Sequence, residues 1–406
     1  MTLIDLGAAR SHLKLPATIR TAITAASAEP LSFTTPNAQL FAAVADWMQR
    51  RHDWHAPVAD AIFLPKTTHL VSALLNAGPT CYDPPENEGG VMGAMMDPAT
   101  AMQMGAPLEM VGQLAQQQQR TRSEVEHGPE RPPIVVALSP TYGRVAQMVR
   151  ASGAQLRLVR MQNFGGRLRI NWPALENAMI GADYLLWTNP HNPTGRAWSV
   201  EELQRVGYLA EIYRTTVLSD DIHADYATGS YTPLAKACPG LYARGLLAQV
   251  HSPTITFPMS GMHTAVVFAT GQLATDLAHA KQRLSLTDAN PLAIAAATAA
   301  WQSGDAAADD QQQLVTANRA RTADYLRAAL PDCEVTEAEG TCMMWADFKA
   351  DGATIAKRAR DEGVIVSAGG GFGETWSTYL RLTVALPEAE LSEGLSRLVA
   401  AITSAA

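Results

Sequence analysis

The sequence predicts an α/β protein, with a large domain built on a mostly parallel sheet and a smaller α+β domain following it. Three observations carry this expectation. Between residues 134 and 219, short apolar runs alternate with helical stretches, the pattern that βαβ units impose around a parallel sheet. Past residue 281 the pattern changes to helices followed by short strands. The chain has 406 residues, 47% apolar and 17% charged, which suffices for a large core and a second, smaller one.

The elements follow in order. The run 134–138 (IVVAL) reads as a strand and 144–152 as a helix, with a strand candidate at 155–159. Residues 172–179 read as helical and 184–187 (YLLW) as a buried strand. A long amphipathic helix spans 200–214, and 216–219 (TVLS) is the next strand. In such sheets ligands sit beyond the carboxyl ends of the strands, so the loops that follow the strands are where chemistry is expected. The last third reads as helices around 276–300 and 309–329, strands at 343–348 and 379–384, and a closing helix from 388. The implied division is 1–45 as the N-terminal part of the small domain, 46–281 as the large domain and 282–406 as the rest of the small domain. Residues 86–133 form an insertion rich in Met, Gln and Gly, including Met92, Met95, Met96, Met102, Met104 and Met110. Biased composition of this kind suits a mobile loop, and Met-rich segments also suit docking of a protein partner.

Composition excludes several function classes. The net charge of −8 argues against a nucleic-acid or membrane-surface binder, both of which need a basic face. No apolar run reaches the length of a membrane span, and the N-terminus lacks the basic and apolar regions of a signal peptide. Cys81, Cys238, Cys333 and Cys342 are scattered, which fits reduced thiols in a cytoplasmic protein and gives no metal-site spacing.

Two motifs carry the chemistry. The first is 187–196, WTNPHNPTGR, and the second is 218–226, LSDDIHADY. Each falls directly after a predicted strand. An aspartate placed after a buried strand is expensive to keep without a partner, which marks Asp220 for function over packing.

The pair resembles the class I/II aminotransferases, and within them the cystathionine β-lyase-like C–S lyases, which belong to the fold-type I pyridoxal-phosphate (PLP) enzymes. Further matches are 140–142 (PTY), 50–54 (RRHDW), 340–347 (GTCMMWAD) and 379–387 (YLRLTVALP). The resemblance covers the chain apart from the insertion. It implies that Asn192 bonds the pyridine O3′, that Asp220 pairs with the protonated ring nitrogen and keeps the ring an electron sink, and that Tyr142 stacks on the ring. It implies that His223 stands where many relatives carry a tyrosine. Arg381 matches the arginine that clamps a substrate carboxylate, a task suited to a planar bidentate fork. A small anionic substrate and a homodimer follow from the same likeness.

The pattern breaks at its centre. Relatives carry a stretch close to S-x-S/T-K-T-F-N-x-x-G; here 252–261 reads SPTITFPMSG. Ser252, Thr254, Thr256, Phe257 and Gly261 fit, but Ile255 stands at the lysine and Pro258 at the asparagine. Lysine forms the imine with the cofactor and then shuttles the substrate proton. Isoleucine does neither, and the nearest lysines in sequence are Lys236 and Lys281. The glycine turn that receives the cofactor phosphate aligns with 64–69, LPKTTH, which puts Lys66 at the glycine. The tyrosine that donates to the phosphate from the second subunit aligns with Phe33.

These departures together indicate a natural, divergent member with no covalently bound cofactor. Three readings stand. In the first, Asp220 or His223 performs acid–base chemistry on an anionic molecule held by Arg381, Asn192 and Lys66. In the second, PLP or pyridoxamine phosphate (PMP) is held non-covalently by Asn192, Asp220, His223, Tyr142, Ser252 and Thr254, with His223 or His251 as base. In the third, the protein is a non-catalytic partner that binds through 86–133.

Overall fold

The computed structural model describes residues 3–404 apart from 33, 77–111, 113–130, 228 and 230. Phe33 and nearly all of the 86–133 segment therefore lie outside the described residues. In chain order the strands are β1 (Ile4–Asp5), β2 (Ala61–Leu64), β3 (Ile134–Ser139), β4 (Gln155–Arg160), β5 (Gln162–Phe164), β6 (Arg167–Arg169), β7 (Tyr184–Thr188) and β8 (Thr216–Asp220). They continue with β9 (Leu247–His251), β10 (Ala265–Phe268), β11 (Glu334–Val335), β12 (Met343–Asp347), β13 (Val364–Ile365), β14 (Ser367–Ala368) and β15 (Tyr379–Thr383).

Seven strands form the main sheet in the order β2-β10-β9-β8-β7-β3-β4. From β9 to β4 every pairing is parallel, while β10 runs antiparallel to both of its neighbours. All six residues of β3 and all five of β9 are buried, as expected of strands covered on both faces. The register decides where the site lies. Thr188 pairs with Asp220, and Asp220 with Val250, so the carboxyl ends of β7, β8 and β9 finish level. With a side-chain period of two, Leu186 and Leu218 sit one step below Thr188 and Asp220 on the same face and pair with each other.

The first four helices are α1 (Ala17–Ser27), α2 (Ala38–His52), α3 (Thr68–Leu75) and α4 (Gly143–Ala151), and residues of α3 and α4 lie at this end. Helix α2 begins where the Asn37 side chain accepts the Leu40 N–H at 3.0 Å, an N-cap that satisfies one otherwise open donor. Leu70, Val71, Leu74 and Leu75 of α3 pack with Val149 of α4 over Leu218 and Val250 of the sheet. The helix Val200–Tyr213 carries a full capping box between Ser199 and Glu202 on the opposite side.

The C-terminal third forms a four-stranded antiparallel sheet, β11-β12-β15-β14. Its core takes in Ile4 and Leu6, because β1 pairs with β13 across the length of the chain. Helices α1 and α2 instead pack on the helix Pro291–Ser303, and their buried Ile19, Leu40, Val44 and Trp47 join the core of the main sheet. The single helical stretch expected at 276–300 is two helices, Gly271–Arg283 and Pro291–Ser303. Asn290 caps the second and Pro291 occupies its first position, where a missing N–H costs nothing. No helix among the described residues is long and apolar enough to cross a membrane.

Candidate functional site

A cavity of about 440 Å³ opens beyond the level ends of β7, β8 and β9, within the range of small-molecule sites. Five strand ends build its walls. The turn after β2 supplies Lys66, Thr67 and Thr68; the turn after β3 supplies Thr141 and Tyr142; the loop after β9 supplies Ser252, Thr254 and Ile255. His191 and Asn192 enter after β7, and Asp220, Ile222 and His223 after β8. The sequence puts chemistry at these places because a parallel strand must end before its helix begins, and that break leaves side chains facing the crevice.

Asp220 sits at the end of β8 with no cation beside it among the described residues. Its Oδ1 accepts the Ile222 N–H at 3.3 Å. Burial pushes its carboxyl up from 3.8 to about 6, against the lowering effect of hydrogen bonds from the Ile222 N–H and the Thr67 hydroxyl. Its neighbour Asp221 points elsewhere: it is buried, accepts from the hydroxyls of Ser219 and Tyr231 at 2.5 Å each, and is pushed by burial up to about 8. Of the two adjacent aspartates, the one facing the cavity is thus the one without a local partner network.

His223 is 2% exposed, and its Nδ1 has no hydrogen-bond partner among the described residues. Burial, with the nearby Arg381 charge, drives its pKa down to about 3, so it is a neutral imidazole at physiological pH. Arg381 does not line the cavity. It stands behind Asn192, donating from Nη1 to Asn192 Oδ1 at 3.2 Å and from Nη2 to the Gly7 carbonyl at 2.8 Å, while its Nε has no partner. Phe372 lies under the guanidinium at 4.9 Å. Seven of the sequence-predicted residues (Lys66, Tyr142, Asn192, Asp220, His223, Ser252 and Thr254) therefore converge on one space, and Arg381 reaches it only through Asn192. His251, proposed from sequence as an alternative base, packs against Trp54 and Phe268 and bonds Gln249 at 2.8 Å, away from the cavity.

Ile255 lines the same cavity at 8% exposure. The loop that carries it is fixed from below. Tyr226 donates to the Ile255 carbonyl at 3.0 Å, and the Thr256 hydroxyl donates to Asp225 at 2.8 Å. Asp225 also receives the Trp47 indole N–H at 3.0 Å and meets His52 Nε2 at 3.0 Å. On the cavity side, Ser252 donates to the Thr264 carbonyl at 2.6 Å and lies 2.7 Å from the Thr254 hydroxyl. Lys236, one of the nearest lysines in sequence, is spent on Asp53 at 2.7 Å, and Lys281 lies over Phe63.

Among the polar lining residues that sequence reading did not single out are Thr67, Arg144, Ser260 and His263. Thr67 was visible only as part of LPKTTH. His263 lies two residues beyond the SPTITFPMSG stretch and carried no signal of its own. Among the described residues, no group of three His, Cys, Asp or Glu side chains is placed to hold a metal ion.

Residues 130–398 match the family described as aminotransferase class I and II. The chain belongs to that family. Among its relatives, the cystathionine beta-lyase PatB of Bacillus subtilis (strain 168) is 26% identical over 380 residues, covering 91% of this chain and 85% of PatB. The cystathionine beta-lyase of Corynebacterium glutamicum is 25% identical over 291 residues, 68% of this chain and 74% of that protein. The crystal structure of cystalysin from Treponema denticola, which contains pyridoxal 5′-phosphate, superposes with a TM-score of 0.81 at 18% identity, covering 100% of this chain and 92% of cystalysin. The PLP-bound C–S lyase from Staphylococcus hominis gives 0.78 at 20% identity, covering 98% and 91%. The fold is thus that of fold-type I aminotransferases over the length of the chain, and the cavity lies at the carboxyl ends of its parallel strands.

Proposed function

We propose that this aminotransferase-family protein holds a phosphopyridoxyl cofactor, PLP or PMP, without a covalent tether, Ile255 standing where relatives carry the anchoring lysine. The observation that carries the reading is Asp220, a carboxylate kept in a cavity at a cost, with no cation beside it among the described residues. Such a group is the complement of a protonated ring nitrogen. The rest of the lining fits the same guest. Tyr142 would offer an aromatic face, Asn192 and His223 polar atoms, and Lys66, Thr67, Thr68, Ser252 and Thr254 a cation and hydroxyls for a phosphate. The first turn of α3 adds the positive end of a helix there.

When bound, such a ring supplies an electron sink for charge developing on a substrate carbon. The chain's own residues do the remaining work. Asp220 would hold a protonated ring nitrogen by opposite charge. Asn192 is oriented by Arg381, which also places a guanidinium charge next to the cavity for an anionic substrate group. His223, neutral and with an open Nδ1, would offer a hydrogen-bonding nitrogen to the bound group.

A second reading needs no cofactor. Asp220 titrates near 6, close to the range where a carboxyl serves as a general acid or base, so the cavity also suits direct proton transfer on a small anion. One experiment separates the two. Dialysed protein is titrated with PMP and with PLP by calorimetry and by absorbance after gel filtration. Retained cofactor that is lost in Asp220→Asn supports the tetherless reading. No binding of either form, with an activity on small anions that Asp220→Asn abolishes, supports the second and ends the first.

A further inference from the structure

The arginine that the sequence marks for a carboxylate is covered by the chain's own N-terminal segment. Arg381 is 4% exposed. Among the described residues none of its hydrogen-bond partners is a carboxylate: Nη1 donates to Asn192 Oδ1 at 3.2 Å, Nη2 to the Gly7 carbonyl at 2.8 Å, and Nε to no group. A buried guanidinium is costly to keep without an opposite charge, and its fork suits a carboxylate better than a single carbonyl.

The cover is a short strap between two fixed points. On one side β1 pairs with β13, and the Leu6 carbonyl receives the Thr383 N–H at 2.7 Å; on the other the His12 N–H donates to the Ala385 carbonyl at 2.8 Å. Between them, residues 7–10 form bends that belong to no strand or helix. Gly7 lies tight against the chain between β13 and β14, where a Cβ would meet Val366 C at 3.1 Å and Ser367 N at 3.3 Å. Its carbonyl also accepts the Ser367 hydroxyl at 2.8 Å, so both lone pairs are used. Two residues on, Ala9 lines the cavity. Asp5 holds the turn from within. Its Oδ1 accepts the Gly7 N–H at 2.9 Å and the Ala8 N–H at 3.0 Å, the local bonding by which an aspartate fixes a turn. Its Oδ2 receives Arg10 Nη2 at 2.8 Å, and with the Arg10 side chain 53% exposed that pair contributes little.

We propose that this strap is a displaceable cover: a ligand carboxylate takes the Arg381 guanidinium only when the Gly7 carbonyl leaves it, and the Asp5 turn sets how readily it leaves. The proposal rests on the reading of Arg381 as the holder of an anionic substrate group and is independent of the cofactor. Only hydrogen bonds are exchanged. A carboxylate that binds the open strap alone draws the population toward it, and its apparent affinity is the intrinsic one reduced by the open fraction. Weakening the turn at Asp5, which does not line the cavity, therefore raises carboxylate affinity.

The test titrates the full chain with propionate, and with propionamide as the uncharged control, by calorimetry. Hydrogen exchange of the N-terminal peptide is followed by mass spectrometry in the same mixtures. Propionate should speed exchange at the strap amides, and propionamide should not. Asp5→Ala should raise propionate affinity about three- to tenfold, the worth of the lost turn bonds. Asp5→Asn keeps an oxygen for both N–H groups and should stay within about twofold of the parent. Equal gains in Asp5→Ala and Asp5→Asn overturn the proposal, because the lost charge near Arg381 then carries the effect. Strap exchange that does not change at saturating propionate, or no gain in Asp5→Ala, also overturns it; loss of propionate binding in Arg381→Gln would still leave the reading of Arg381 standing. Propionate binding that survives in Arg381→Gln, or none in either the parent or Asp5→Ala, ends both. The exchange data and the Asp5 pair decide the proposal by themselves if Arg381→Gln does not fold.

Discussion

Replacing Asp220 by Asn is expected to make the ligand-free protein more stable and to make it lose its ring ligand. The carboxyl is raised from 3.8 to about 6 by burial. At about 1.36 kcal/mol per pKa unit, keeping it charged costs the folded state close to 3 kcal/mol at most, and roughly 1–3 kcal/mol once water in the cavity screens it. The sign follows from proton counting. Between 3.8 and about 6 the folded protein binds this proton more firmly than the unfolded chain does, so stability falls as pH rises through that window and stays low above it. Below 3.8 both states are protonated and the penalty vanishes. Asparagine keeps an oxygen for the Ile222 N–H and removes the charge. The variant should therefore gain about 1–3 kcal/mol at pH 8, or about 1–4 °C in melting temperature, shrinking toward zero at pH 4. Melts of both proteins across this pH range, without ligand, are the assay. A variant less stable than the parent at pH 8, or one with the same gain at pH 4, refutes the idea that Asp220 is an uncompensated charge. The exchange of stability for a functional charge is common at binding sites.

Three other outcomes can be checked. Ile255→Lys should create a lysine that borohydride fixes to PLP, found at position 255 by mass spectrometry, while the parent protein fixes none there; no adduct in a folded variant would place residue 255 away from the cofactor. Asp225→Ala should cost about 3–5 kcal/mol, since it strips Trp47, His52 and Thr256 of a shared buried acceptor. Burial alone would raise the Asp225 carboxyl, but His52, Arg51 and the Thr256 hydroxyl outweigh it and hold it below its ordinary value; its stabilisation is thus full above the unfolded value and is lost as pH falls through the folded one, so denaturation curves should show the variant's deficit narrowing in acid. Gly340→Ala should destabilise by about 1–3 kcal/mol through overpacking, because a Cβ there meets Pro190 Cγ at 2.7 Å and Ala227 Cβ at 3.0 Å; an unchanged melting temperature would mean that this loop yields freely.

Local pattern was enough to find four of the five parallel strands of the main sheet. The strands β3, β4, β7 and β8 alternate with helices, and each is a short apolar run bounded by turn residues, so periodicity located them to within a residue or two. The paired motifs after β7 and β8 then named Asn192, Asp220 and His223, and the stretch after β9 marked Ile255 as the departure. What periodicity did not reveal was β2, β9 and β10: β2 and β10 have four residues each, and Gln249 and His251 interrupt the apolar run of β9. The motif named Asp220 over its neighbour Asp221, but the physical reason is tertiary: the pairing of Thr188, Asp220 and Val250 across three strands turns Asp220 to the cavity. The same holds for His263 and for Arg381. One reaches the cavity through a left-handed turn, and the other is held behind Asn192 by the carbonyl of Gly7, more than 370 residues away in the chain. Side-chain chemistry is written residue by residue, but the electric field at a site is a sum over groups that only folding brings within a few ångströms of one another.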